Sequence, residues 1–285
     1  MVWILVLAST AALIVPIMIW FNIPYSPMKR SFQRDVQRHS QESIRPTGVF
    51  TEESIRHLPE PVQNHFKAAG LIDQPIMPWT KILAPSAHMF ESKNSGPLVM
   101  DYTFYLFGHQ PVRLAYMNTS MFGLPFEAFD SFQNGKGFMK GVIGKGFPLF
   151  NETGPAMNGA QLMTILGELF LIPSLIFSEY ITWEPIDTHQ ARATITYGDV
   201  SGSGVFTFGD DGFVQSFHTK ERAKIGTDGS VAFLEWSGVF EGWRTDENGM
   251  GIPIHLKAIW HEPDGEFIYF EPANGFNIEW GKSPS

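Results

Sequence analysis

From about Trp79 to the C-terminus, apolar and polar residues alternate with a period of two, the repeat that places successive side chains on opposite faces of a strand. Leu98, Met100, Tyr102, Phe104 and Leu106 share one strand face, and Ile254, Leu256, Ala258 and Trp260 share another. Turn signals separate the runs: Asn134-Gly135, Asp210-Asp211-Gly212, Thr227-Asp228-Gly229, Asp246 to Gly249 and Pro263-Asp264-Gly265. The pattern predicts ten to twelve strands. One interruption, MNGAQLMTILGELFLIPSLIF from Met157 to Phe177, predicts a helix over about 156–172 with Pro173 punctuating its end.

Many strands and one long internal helix predict an α+β fold with a large, mostly antiparallel sheet. A sheet of that size must curl or close to protect its edges. The run from Leu98 to Phe107 is apolar on both faces, so each side needs a cover. A curved half-barrel wrapped around the 156–172 helix meets both requirements.

Upstream, the pattern changes. Thr51 reads as an N-cap, Pro61 suits the first turn of a second short helix, and Val62, Phe66 and Ala69 form its apolar stripe before a stop at Gly70. Residues 24–50 are polar and Pro-containing and predict a juxtamembrane stalk with a helical turn around Phe32 to Val36, leaving 51–285 as a single domain. Val2 to Phe21 carries no formal charge, and at about 1.5 Å per residue such a run spans a hydrocarbon core of about 30 Å. Pro16 is tolerated in a lipid-embedded helix, and Trp3 and Trp20 lie near the two ends, where indoles favour the interface. No Lys or Arg precedes the run and no small-x-small cleavage pattern follows it, so residues 1–23 read as an uncleaved transmembrane anchor rather than a signal peptide.

Charge adds orientation. Residues 1–45 hold five basic residues (Lys29, Arg30, Arg34, Arg38, Arg45) and two acidic ones (Asp35, Glu42), a balance of +3, so the remainder carries −12 of the total −9. The basic excess after the span predicts a single-pass protein of the cell membrane with its domain, Ser283 included, in the cytoplasm. The acidic body argues against a nucleic-acid partner. The absence of cysteine removes disulfides, thiolate metal sites and a cysteine nucleophile from consideration.

Familiar catalytic motifs are missing. GKGFMKGVIGKGF, Gly135 to Phe147, fails the phosphate-loop spacing and reads as a hairpin with Lys136 and Lys140 on one solvated face. His255 and His261 are close in sequence but belong to a strand and a turn, and no metal site or cofactor is expected from them. In the internal helix, Leu162, Ile165, Leu166, Leu169 and Phe170 make a broad apolar face, while Gln161, Thr164 and Glu168 form a narrow polar stripe. That stripe either looks at water or faces the concavity of the sheet. In the second case Glu168 needs a basic or hydrogen-bonding partner, and Arg113, Arg192 and Arg222 are the strand residues available.

Several stretches in order resemble a bacterial family of uncharacterised, membrane-anchored proteins: LPEPVQNHF (58–66), GKGFMKGVIG (135–144), MNGAQLMTILGELFLIPSLI (157–176), ITWEPIDTHQARATI (181–195), FTFGDDGFVQSF (206–217) and IPIHLKAIWHEPDGEFIYF (252–270). In the family pattern the helix carries an acid, an Arg one turn on, and a second acid. Here Gln161 and Thr164 stand at the first two positions and Glu168 is kept. The resemblance implies no known reaction, and the strand order is loosely similar to the open-barrel lipoprotein carriers.

The expected function is a membrane-anchored binding protein holding a lipid or similar amphiphile between curved sheet and helix. Gln161, Thr164, Glu168, Phe170, Trp183 and Trp260 are the expected ligand-contacting residues, with Phe206 and Phe240 as further lining. Two alternatives stand beside it. One is a hydrolase or isomerase using Glu168 or Asp101 as acid or base, and the other is a structural partner of another membrane protein.

Overall fold

The computed structural model describes residues 2–43, 48–226 and 229–281, with the side chains of residues 2–8, 11 and 13 outside the description. The chain begins with helix α1 (Val2–Asn22), followed by α2 (Pro27–Glu42), α3 (Glu52–Ile55) and α4 (Glu60–Ala68). Strands β1 (Trp79–Met89), β2 (Leu98–Phe107), β3 (Arg113–Met121), β4 (Leu124–Gln133), β5 (Lys136–Ile143) and β6 (Phe147–Thr153) form a meander of antiparallel hairpins. Helix α5 (Pro155–Gly167) and two 3-10 turns (Leu169–Leu171 and Pro173–Phe177) lead to a second run. It comprises β7 (Ile181–Pro185), β8 (Gln190–Tyr197), β9 (Val200–Phe208), β10 (Val214–Thr219), β11 (Ala223–Ile225), β12 (Val231–Phe233), β13 (Glu235–Thr245), β14 (Gly251–Glu262), β15 (Gly265–Glu271) and β16 (Asn277–Trp280).

Fourteen strands make one sheet in the order β6-β5-β4-β3-β2-β1-β15-β14-β13-β10-β9-β8-β7, with β16 also pairing β1, while β11 and β12 form a separate hairpin. The sheet is not closed: β6 and β7 are its two edges. The sixteen described strands exceed the ten to twelve expected, chiefly because the short pieces β11, β12 and β16 carry too few residues to show a period. Turn chemistry fits the predicted places among the described residues, while Thr227 and Asp228 of another predicted turn lie outside them. Asn134 and Gly135 have φ of 53° and 72°, the left-handed pair that a two-residue hairpin of matching twist requires.

Helix α5 packs against strands of both arms, β4 to β6 on one side and β8 to β10 on the other. It ends earlier than the expected 172. Glu168 is the residue capping it, and every residue from 169 to 176 is buried, a pattern no single helix face can present. The chain therefore coils through short 3-10 turns, with Ile172 extended before Pro173 (φ −137°, ψ 72°). Gly167 allows this approach: a Cβ there would lie 2.7 Å from the Trp236 ring.

The segment expected as a stalk is different. Residues 27–42 form a helix of four turns, capped by Ser26, whose hydroxyl accepts from Lys29 N, with Pro27 at the first position. Met28, Phe32 and Val36, spaced four apart, dock on the outer face of the sheet against Phe107, Val112, Leu114, Tyr116 and Phe129. This supplies the second cover that β2 needs: Met100, Tyr102, Phe104 and Leu106 face the α5 side, while Tyr105 and Phe107 lie under α2. A three-residue stripe in a polar segment gives a weak helical signal, which is why the sequence pattern shows only a turn there. Upstream of α4, Thr51 and Ser54 form a reciprocal cap, and Gly70 closes α4 at φ +61°.

The expected span, Val2 to Phe21, coincides with α1 but falls partly on side chains outside the description. Among the described residues no helix is long and apolar enough to cross a membrane. The described side chains from Ile14 to Trp20 are all exposed. The last turn of α1 is tied to the β5–β6 turn. Lys145 Nζ donates to the carbonyls of Trp20 (3.0 Å) and Ile23 (2.7 Å), and Trp20 Nε1 donates to Gly144 O (3.3 Å).

Candidate functional site

The site grows from one side chain. Arg113 opens β3 on the α5 side of the sheet, 3% exposed, a position where an unpaired guanidinium would be prohibitively desolvated. It is fully engaged. Its Nε donates to Glu168 Oε2 (2.7 Å) and one terminal nitrogen to Glu168 Oε1 (3.0 Å), a two-point clasp. The same terminal nitrogen donates to the Tyr102 hydroxyl (2.7 Å), and the other donates to Asp130 Oδ2 (2.8 Å). The face of the guanidinium stacks on Phe104 at 5.1 Å. Asp130 Oδ1 in turn accepts from Gln161 Nε2.

A second arginine closes the arrangement. Arg222, just before β11, donates from Nε to Thr164 Oγ1 (3.0 Å), and that hydroxyl donates to Ala160 O (2.9 Å). Its guanidinium lies over Trp236 (4.8 Å), Trp260 (4.9 Å) and Tyr269 (5.9 Å). Among the described residues its two terminal nitrogens have no hydrogen-bond partner.

These groups border a cavity of about 320 Å³. Polar residues Arg113, Asp130, Gln161, Thr164, Glu168 and Arg222 occupy part of its wall. Apolar side chains, among them Phe104, Trp236, Phe240, Trp260 and Phe270, supply the rest. The volume is at the lower end of the roughly 300–1,000 Å³ typical of small-molecule sites.

Burial sets the electrostatics. It raises the pKa of both Glu168 and Asp130 above the ordinary carboxylate range, with Arg113 opposing the shift in each case. Burial also works against the charge on Arg113, but Glu168, Tyr102 and Asp130 outweigh it and hold the guanidinium protonated. Desolvation pushes the Tyr102 phenol up as well, so it stays neutral. With both acids ionised, the two arginines and two carboxylates balance.

Of the residues singled out in the sequence, the structure brings Gln161, Thr164, Glu168 and Trp260 to this cavity, together with Phe240, Arg113 and Arg222. It places Phe170 and Trp183 elsewhere. Their rings pack with Phe206 in the solid core between α5 and β7–β9, at 6.3 Å from each other and 5.0 and 5.7 Å from Phe206. Arg192 lies on the opposite face of β8 from the buried Ala191 and Ala193. Asp101 is exposed and accepts from Ser86 N, away from the site.

Asp130 and Tyr102 were not singled out as site residues. A signal existed for Asp130: it is an acid inside the apolar run FEAFDSF of β4, where an unpartnered carboxylate cannot stay. Glu127, one residue off the same alternation, answers the same demand on the outer face by accepting from Ser26 Oγ (2.6 Å) and the Tyr116 hydroxyl.

An open antiparallel sheet, a helix held between its arms and a buried arginine–carboxylate cluster at a cavity define an α+β domain. The chain belongs to a family of unknown function (DUF6544), whose pattern matches residues 48–272. None of the curated proteins matches it. Among solved structures it is similar to a domain from Vibrio parahaemolyticus assigned as an outer membrane lipoprotein-sorting protein. The identity is 9%, 73% of this chain and 86% of that chain are covered, and the TM-score is 0.35. A likeness at that level carries no argument about function.

Proposed function

We propose that the protein is a membrane-anchored binding protein whose cavity takes an amphiphile, its apolar part against the aromatic wall and its head group on Arg222. The observation that carries this reading is the state of Arg222. Its guanidinium is positioned by Thr164 and three aromatic rings, borders the cavity, and keeps two terminal nitrogens uncommitted. Such a fork matches two acceptor oxygens on one head group.

A hydrolase or isomerase reading draws support from the two acids with raised pKa at one cavity. Against it, all four carboxylate oxygens of Glu168 and Asp130 are already occupied by Arg113 and Gln161. Those hydrogen bonds favour the ionised form of each acid and hold its carboxylate on protein partners.

The test is retention of cargo by the full chain purified in mild detergent. Native mass spectrometry and solvent extraction should find one amphiphile bound per chain, and Arg222→Leu should reduce its occupancy by about tenfold, the loss of one charge-assisted contact. A folded chain that arrives empty and takes up no fluorescent fatty acid would overturn the proposal.

Anchoring rests on the uncharged α1 sequence and on a patch continuous with it. The β3–β4 tip carries Phe122, 93% exposed, and Leu124, and the β5–β6 tip carries Phe147, 72% exposed, and Leu149. Both tips lie at the same end of the sheet, because Gly144 N donates to Pro125 O (2.8 Å), and Phe21 and Phe147 flank Gly144. Exposed aromatic rings beside the end of an apolar helix suit the interfacial layer of a bilayer. The chain has no native cysteine, so Phe122→Cys gives a single spin-label site. In vesicles the label should be reached by oxygen more readily than by a water-soluble nickel complex; the reverse order would place the tip in water. The cytoplasmic side remains our proposal from the basic excess of residues 1–45. Ser283, whose side of the membrane would report it, lies outside the described residues.

A further inference from the structure

At the other end of β3, the C-terminal turn of α2 meets the β2–β3 turn, and three potential metal-binding side chains converge there: His39, Glu42 and His109. Their donor atoms all lie within 4.8 Å of one another, with His39 Nδ1 3.1 Å from Glu42 Oε2. His39 is 2% exposed. Two buried nitrogens, His39 Nδ1 and His109 Nε2, have no hydrogen-bond partner.

The surrounding hydrogen bonds set what His109 carries and allow His39 the form a metal needs. Ser43 Oγ donates to His39 O (2.6 Å), so its contact with His109 Nδ1 (2.7 Å) must run the other way, from Nδ1–H to the hydroxyl. That leaves His109 Nε2 with a lone pair. Gln133 Nε2 donates to Asp35 Oδ2 (3.3 Å), which turns Oε1 towards His39 Nε2 (3.1 Å), where it can accept from an Nε2–H. In the tautomer that donates to Gln133, the lone pair of His39 is on Nδ1, beside Glu42. Arg38 stands at His39 Nε2 (3.3 Å), on the side of the ring away from the donor set, donates to the same Gln133 Oε1 (2.5 Å) and is paired with Asp35 (3.4 Å). A metal at Nδ1 therefore selects the Nε2–H tautomer over the one in which Nε2 accepts from Arg38.

We propose that His39 Nδ1, His109 Nε2 and a Glu42 carboxylate oxygen form a site for a divalent transition metal ion, zinc fitting best. Two imidazoles and a carboxylate with an open fourth position are a donor set of zinc, and donors about 2.0–2.2 Å from a tetrahedral ion stand about 3.4 Å apart. The His39–Glu42 spacing is near that value, and the exposed Glu42 side chain can swing to close the rest. The ring nitrogens that do not bind metal are fixed by Gln133 and Ser43, the outer contacts that orient ligating histidines. The ion would clasp α2 to the β2–β3 turn. A second convergent group, His218, Glu235 and His261, lacks this feature: His218 Nδ1 and His261 Nε2 both bond to Ser237 Oγ (2.8 and 2.6 Å).

The test uses the full chain in detergent, stripped with a chelator and titrated with Zn2+ by calorimetry and with Co2+ by visible absorption. We expect one tight equivalent and the intense bands of a four-coordinate Co2+ complex. Glu42→Gln and His109→Ala, both on partly exposed side chains, should each weaken binding by at least about tenfold, with the circular dichroism unchanged. Hydrogen exchange in α2 should slow on Zn2+ addition in the wild type only. Absence of a tight equivalent, or binding that both variants leave intact, would overturn the assignment; the second result would move any ion to His218, Glu235 and His261.

Discussion

Glu168→Gln should lower the unfolding free energy by about 3 kcal/mol, because its NH2 turns a donor on the Arg113 fork in place of an acceptor oxygen and leaves the buried guanidinium part-stranded. The usual range for breaking one side of a buried pair is roughly 3–5 kcal/mol. The lower end applies for two reasons. Arg113 keeps Asp130 and Tyr102 as partners, and the Glu168 side chain, 18% exposed, retains some access to the cavity. Gln preserves the volume, which separates the charge from the packing. In a domain of this size the loss is a fall of about 6–12 °C in thermal midpoint. The double variant Arg113→Met, Glu168→Gln should be less unstable than the sum of the two single changes, since their partner groups are shared. A midpoint unchanged in Glu168→Gln, within the about 0.5 kcal/mol of an exposed site, would mean that the clasp contributes nothing.

Acid should destabilise the protein through His65. This residue of α4 is 1% exposed, packed against Phe170 (4.6 Å) and Trp243 (5.2 Å), and its Nδ1 accepts from Val214 N (3.1 Å). Burial alone lowers its pKa to about 3 from an ordinary 6.5. Between those values the unfolded chain binds a proton that the folded chain refuses. The His65 contribution is therefore complete above about pH 6.5 and is lost as pH falls towards 3, at about 1.4 kcal/mol per pH unit. From pH 6.5 to 5 the loss is about 2 kcal/mol. Asp130 and Glu168, whose pKa values are raised, act in the opposite sense, because protonation relieves their burial as pH falls. Unfolding measured between pH 6.5 and 5 in wild type and in a variant lacking the imidazole separates the His65 slope from whatever the two raised carboxyls add. His65→Asn keeps an acceptor near the Nδ1 position and removes the titration, so the variant should lose this slope. Equal slopes in variant and wild type would remove His65 as the cause.

Much of the fold was legible because periodicity is a local property. The β2 and β14 faces, the Asn134-Gly135 hairpin, the Thr51 cap and the Gly70 stop each rest on residues a few positions apart. Helix α2 was not, since its four turns carry only Met28, Phe32 and Val36 as an apolar stripe and depend on the outer face of β2–β4 for their stability. The length of α5 was overestimated for a related reason: LFLIPSLI is apolar but for Ser174, and a nearly unbroken apolar run does not distinguish a helix from a coil buried on every side.

The amino-acid sequence alone determined the class of the domain, the uncharged N-terminal segment, the polar stripe Gln161, Thr164 and Glu168, and the short set of arginines able to answer it. Tertiary structure decided which of them meet. Arg113 and Glu168 lie 55 residues apart, and Arg113 and Asp130 lie 17 apart on neighbouring strands, so their pairing depends on sheet register and on where α5 stops. The same holds for aromatic rings. Trp260 and Trp183 look alike in their strands, yet one borders the cavity under Arg222 and the other fills the core beside Phe206. Residue type sets which interactions a side chain needs, and the path of the chain between distant segments sets which partners it finds.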